Sequence, residues 1–115
     1  MFDFEKLTVY QKAKEFDKSV LTLCLDKTID RIIVNQLKRA ALSIALNIAE
    51  GTSRYSKADR RNFYVIARGS AFECVAVFDI LHDRKNIDKG RYDELYERAE
   101  ELSMMLFAMI KRLSK

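Results

Sequence analysis

The sequence predicts an all-α protein, an antiparallel up-down-up-down four-helix bundle. Three observations carry this reading. The 115 residues include no proline and three glycines, too few breakers for a turn-rich β protein. Apolar residues recur at alternating spacings of three and four in three segments, and a fourth segment is apolar almost all round a polar stripe of the same spacing. The segments are joined by connectors of a few residues, which make consecutive helices antiparallel neighbours. Hydrophobic residues are 49% and charged residues 33%, a balance that suits one globular domain over residues 1–115 with its own core.

The first helix is expected from about Glu5 to Leu25, with Val9, Ala13, Phe16, Val20 and Leu23 as its core seam. Asp26–Asp30 is a short polar connector in which Thr28 or Asp30 can cap the second helix. That helix is expected to run to about Glu50, and Gly51 suits the left-handed position that ends helices. Its stretch QLKRAALSIALNIAEG places Gln36, Arg39, Ser43, Asn47 and Glu50 in one narrow polar stripe. Nearly everything beside the stripe is apolar, and a helix of that kind is buried on most sides. The stripe is therefore expected to meet a neighbouring helix, a partner subunit or a ligand.

Thr52–Tyr55 form the next connector. Ser56 with Asp59 three residues later comes close to a capping box, and the third helix then runs to about Lys85. Its expected seam is Phe63, Ala67, Ser70, Cys74, Val77 and Leu81. Gly69 in mid-helix costs about 1 kcal/mol against alanine, and close approach of another helix is the expected compensation. Asp88 caps the fourth helix. Tyr92, Leu95, Ala99, Leu102, Leu106, Met109 and Leu113 form its seam, and Met104, Met105, Phe107 and Ile110 are apolar beyond it. Together with the flanks of the second helix, this exceeds what one small bundle buries. A homo-oligomer is the expected outlet.

The formal net charge is +4, and it is unevenly placed. Residues 1–53 carry +1, residues 69–115 carry −1, and the short segment 54–68 carries +4. Arg54, Lys57, Arg60, Arg61 and Tyr64, with Tyr55 before the helix, form the candidate nucleic-acid surface. Arginine forks match phosphate oxygens and tyrosine rings stack on unpaired bases. The competing reading is a solvated helix face, or arginines paired with Glu50 and Glu73. Arg68 sits beside Ala67, Gly69 and Ser70, which favours a packing role. Gln36, Arg39, Ser43, Asn47, Glu50, Arg68 and Glu73 are read as a structural polar network that fixes helix pairing or subunit register. Glu50, at a helix C-terminus, needs a cation, with Arg54 or Arg61 the candidates.

Enzymatic chemistry is not expected. His82 is the one histidine, so the serines lack a general base. Asp79-x-x-His82 is half of a di-iron unit with no matching inward carboxylates, so no metal or other cofactor is expected. Gly51, Gly69 and Gly90 are isolated and form no phosphate loop. Cys24 and Cys74 match no metal or redox spacing and read as reduced thiols in apolar surroundings. No apolar run reaches the roughly 18 residues of a membrane span. The start MFDFEKL lacks an apolar signal core, so the cytoplasm is the expected compartment.

The stretches LTVYQKAKEF, QLKRAALSIALNIAEGTSRYSKADRRNFYVIARGSAFE and YDELYERAEELSMMLFAMIKRL resemble one family. It is the bacterial four-helix-bundle family encoded by intervening sequences in 23S ribosomal RNA genes, the "S23 ribosomal protein" family. The likeness covers nearly the whole chain, and Gln36–Glu73 is its specific part. Asp26–Asp30 departs from it in lacking proline and glycine, and Val9-Tyr10 in lacking a tryptophan after the valine. The resemblance implies a cyclic homopentamer associated with RNA or DNA. It also implies kinship to the accessory proteins of diversity-generating retroelements, whose partner is a reverse transcriptase.

Overall fold

Three aspartate or serine side chains decide where the later helices begin. In the computed structural model of the chain, which describes residues 1–114, Asp30 accepts from the Ile32 N–H at 2.7 Å and opens the helix Arg31–Ser53. Ser56 accepts from the Asp59 N–H at 3.1 Å and opens Lys57–Asp83. Asp88 accepts from the Arg91 N–H at 2.8 Å and opens Lys89–Leu113. Each oxygen satisfies an amide that the helix itself leaves unpaired. Thr28 does not cap; its amide and hydroxyl both donate to Asp26.

The first helix, Thr8–Leu23 (α1), has no side-chain cap. A 3-10 turn over Asp3–Lys6 precedes it, so the helix expected from Glu5 is broken at Leu7. Arg31–Ser53 (α2), Lys57–Asp83 (α3) and Lys89–Leu113 (α4) come next in the chain. Side-chain contacts fix the directions. Ser43 meets Ser70 and Thr52 meets Tyr64, so α2 and α3 are antiparallel. Arg68 with Ser103 and His82 with Tyr92 do the same for α3 and α4. Lys12 with Glu101 and Ser19 with Arg98 align α4 against α1. The result is the expected up-down-up-down four-helix bundle. Its 44 Å long axis matches the roughly 40 Å that 27 helical residues span.

All five seam residues of α1 are buried, as are Leu95, Ala99, Leu102 and Leu106 of α4. Ala67, Ser70, Cys74 and Leu81 of the expected α3 seam are buried, and Tyr64, Ala71 and Phe78 are buried beside them, whereas Phe63 and Val77 are half-buried at the margin. In α3 the core stripe has to face two neighbours, α2 and α4, so it is wider than one heptad seam. At its C-terminus Lys85 takes φ 62°, and the Asn86 N–H donates to the Leu81 carbonyl at 2.9 Å. This is a left-handed helix stop made without glycine.

Two glycines behave opposite to expectation. Gly51 does not end α2; it is helical and buried, and the helix continues to Ser53. A Cβ there would lie 2.9 Å from Phe63 Cβ and 2.9 Å from Tyr64 Cε1. The residue is small because α3 crosses it. Gly69 faces open space, with nothing within 4 Å of its would-be Cβ, so no helix of the same chain compensates it. Gly51→Ala is expected to lose about 1–2 kcal/mol, because crowding outweighs the better helix propensity. Gly69→Ala is expected to gain about 0.5–1 kcal/mol. Urea unfolding followed by circular dichroism checks both, and a stabilised Gly51→Ala chain would contradict the close α2–α3 crossing.

Candidate nucleic-acid interface

The antiparallel topology brings the α2–α3 connector and the C-terminus of α4 to one end of the bundle. Arg54 is the C-cap of α2, and Lys57 to Arg61 lie in the first turns of α3. From α4, Lys111 and Arg112 join them in its last turn. Arg60 and Arg112 both line a cleft of about 170 Å³ whose remaining walls are Tyr64, Met109 and Leu113. Sequence reasoning misses Lys111 and Arg112, because they stand far along the chain from the basic segment. The signal for them is a basic last turn on a helix whose direction is set by the up-down order.

The basic side chains differ in what they are tied to. Arg60 donates from Nε to the Arg54 carbonyl at 2.7 Å and so braces the connector. Arg54 lies over the Phe63 ring at 4.6 Å and 3.7 Å from Glu50, and so supplies the cation that Glu50 is expected to need. Exposed pairs of this kind add little stability. Lys57, Arg61 and Arg112 are exposed and form no ion pair among the described residues. Tyr64 is a correction: the residue is 4% exposed and packs in the core, reaching only the wall of the cleft it shares with Arg60, so it offers no ring face for a base to stack on. Its hydroxyl lies 2.8 Å from Thr52 Oγ1. The threonine donates to the Ile48 carbonyl, which leaves it to accept from the tyrosine. Tyr55, by contrast, is fully exposed.

The expected polar network is smaller than the stripe. Asn47 donates to the Ser43 carbonyl and hydroxyl, at 2.8 and 2.9 Å, and Ser70 donates across the α2–α3 seam to Ser43 at 2.8 Å. This hydrogen-bonded trio stands at the crossing of α2 and α3. Gln36, Arg39 and Glu73 are exposed and make no side-chain hydrogen bond among the described residues. Arg68 belongs to a different contact. It donates to the Ser103 carbonyl on α4 at 3.3 Å and lies between the Phe72 and Phe107 rings, at 4.8 and 5.2 Å. Phe72, Phe107 and Met104 are 56%, 52% and 67% exposed on that face. Beside them an apolar groove of about 210 Å³ runs between α3 and α4, lined in part by Ala71, Val75, Tyr96 and Ala99.

Both cysteines are free; Cys74 is buried and Cys24 half-buried. Burial pushes the Cys74 thiol up to about 12 from an ordinary 9.0, with Glu73 adding to the effect. Burial also raises Cys24, partly offset by Lys38. An unfolded chain ionises Cys74 near pH 9.0 while the folded chain holds the proton to about 12. Stability is therefore expected to fall as pH rises through that window, because there the unfolded state binds fewer protons. Denaturant titrations at stepped alkaline pH check this against Cys74→Ala, in which that component is expected to vanish. Among the described residues no group of three His, Cys, Asp or Glu side chains could hold a metal ion, and no helix is long and apolar enough to cross a membrane.

The sequence matches the model of the family described as "23S rRNA-intervening sequence protein" over residues 5–108. A crystal structure of a protein of unknown function from the S23 ribosomal protein family of Bacteroides thetaiotaomicron VPI-5482 superposes with a TM-score of 0.86. The two are 25% identical, over 90% of this chain and 99% of that one. No curated protein matches the sequence significantly. With a match spanning all four helices and a solved relative of the same bundle, the chain belongs to the 23S rRNA-intervening sequence protein family.

Proposed function

We propose that this chain is a non-enzymatic, homo-oligomeric bundle that binds RNA or DNA through the basic end, as an accessory or scaffold protein. One observation carries the reading. Lys57, Arg61 and Arg112, from two different helices, stand exposed at one end without carboxylate partners among the described residues. Cations left open in this way attract a polyanion over a distance of several ångströms and exchange their counterions for phosphates. The oligomer is supported by the exposed face around Phe72, Met104 and Phe107, and by Leu42 and Leu46 exposed on α2. Two unlike apolar faces on one subunit suit a head-to-tail contact, which closes into a ring when the rotation allows. The pentamer implied by the family likeness is one such ring.

The test is anisotropy of labelled RNA and DNA against the purified protein across a salt series. Binding whose log affinity falls steeply with log salt is the expected result. The second reading is a protein-interaction module with no nucleic-acid contact, favoured by the Phe72–Arg68–Phe107 face. Tight self-assembly with no binding even at low salt would select it. Sedimentation velocity reads the assembly in the same preparation.

A further inference from the structure

The geometry points to Tyr55 as a stacking platform for an unpaired base, which makes single-stranded nucleic acid the ligand class of the basic end. This deepens the nucleic-acid reading above and rests on it. Tyr55 is fully exposed, so nothing among the described residues covers the ring. Its connector is nonetheless held on both sides. The Arg54 N–H donates to the Gly51 carbonyl at 3.1 Å, and the Arg54 carbonyl accepts from Arg60 Nε at 2.7 Å. On the other side the Ser56 hydroxyl is engaged as the cap of α3. A naked ring between two fixed residues loses little freedom on binding.

The surroundings choose the occupant. Arg54 and Lys57 flank the ring in sequence, and Arg61 lies one helical turn beyond Lys57. A base stacked on Tyr55 would leave its phosphates within reach of these cations. Duplex bases are already stacked on each other, so only an unpaired strand offers a free face. Of the other two aromatics of this segment, Phe63 lies under Arg54 and Tyr64 is buried in the core, so neither offers a free ring.

The chain has no tryptophan, so Tyr55→Trp gives a single fluorescent reporter at the proposed contact. The probes are a thymidine oligonucleotide, its uridine counterpart and a duplex of equal length. Tryptophan quenching by either single strand, and weaker quenching by the duplex, is expected. Tyr55→Ala is expected to weaken single-strand binding about tenfold while leaving the salt slope and the duplex affinity unchanged. Unchanged single-strand affinity in Tyr55→Ala would overturn the platform and leave the electrostatic reading standing. So would a silent tryptophan while anisotropy reports binding. If no strand binds in a salt-sensitive way, both readings fall together.

Discussion

Replacing Phe78 by alanine is expected to cost about 3–5 kcal/mol. That is a large share of the roughly 5–15 kcal/mol by which such domains are stable. The reason lies at the centre of the bundle. The backbones of α1 and α3 face each other across its diagonal and nowhere approach within 8 Å among the described residues. Phe16 and Phe78 fill that diagonal, ring edge to ring face, with centroids 6.1 Å apart and planes at 68°. Both are fully buried. Alanine at 78 removes the ring from one side and leaves Phe16 facing a void that four stiff helices cannot close. For a chain of this size the melting temperature should drop by roughly 12–20 °C. Phe78→Leu keeps most of the volume and should lose much less. Calorimetry distinguishes them. A drop of only a few degrees for Phe78→Ala would mean that the diagonal is not filled by this pair.

The largest functional effect is expected from reversing Lys57, Arg61 and Arg112 to glutamate together. All three are exposed, and none is braced to the backbone or paired with a carboxylate among the described residues. Their reversal should leave the helices intact. Arg54 and Arg60 are poorer choices, since one covers Phe63 and the other holds the connector. Each screened, charge-assisted phosphate interaction contributes about 1 kcal/mol. Removing three weakens binding at least about a hundredfold. The slope of log affinity against log salt should become shallower by about 2, since each phosphate neutralised on a single strand adds roughly 0.7 to it. Equal affinity and slope in the reversed protein would remove this end of the bundle from consideration. An intact melting temperature and sedimentation coefficient would show that the loss is local.

The cluster shows how a tertiary arrangement extends a linear one. Arg54, Lys57, Arg60 and Arg61 are visible as a charge surplus in the sequence, because they fall within one helical turn or its approach. Lys111 and Arg112 join them only because α4 runs antiparallel to α3 and ends where α3 begins. Periodicity likewise does not separate Tyr55 from Tyr64. Both are tyrosines in a basic segment, yet one sits in a connector and the other faces the core seam. A stripe of spacing three and four fixes a face of a helix but not how wide a neighbour covers it. For that reason spacing finds Ala67, Ser70, Cys74 and Leu81 of the α3 core, but it also includes Phe63 and Val77, which lie at the margin, and omits Tyr64, Ala71 and Phe78.

The four helices, the caps at Ser56 and Asp88, the α1 seam and the order of packing are legible along the chain, and the α2 cap is narrowed to Thr28 or Asp30. These come from local capping chemistry and from apolar periods that a helix must bury somewhere. Contacts between helices set the role of Gly51, the partners of Arg68 and the extent of the polar stripe. Gly51 reads locally as a helix stop, but a helix crossing made its smallness a packing requirement. Arg68 reads as a packing residue from its small neighbours, but its partners, the Phe72 and Phe107 rings and the Ser103 carbonyl on α4, come from the α3–α4 contact. The stripe reads as one network, but among the described residues only Ser43 bonds to α3, through Ser70, and Asn47 joins it from within α2. In each case the deciding quantity is a distance between helices, which no local pattern along one helix encodes.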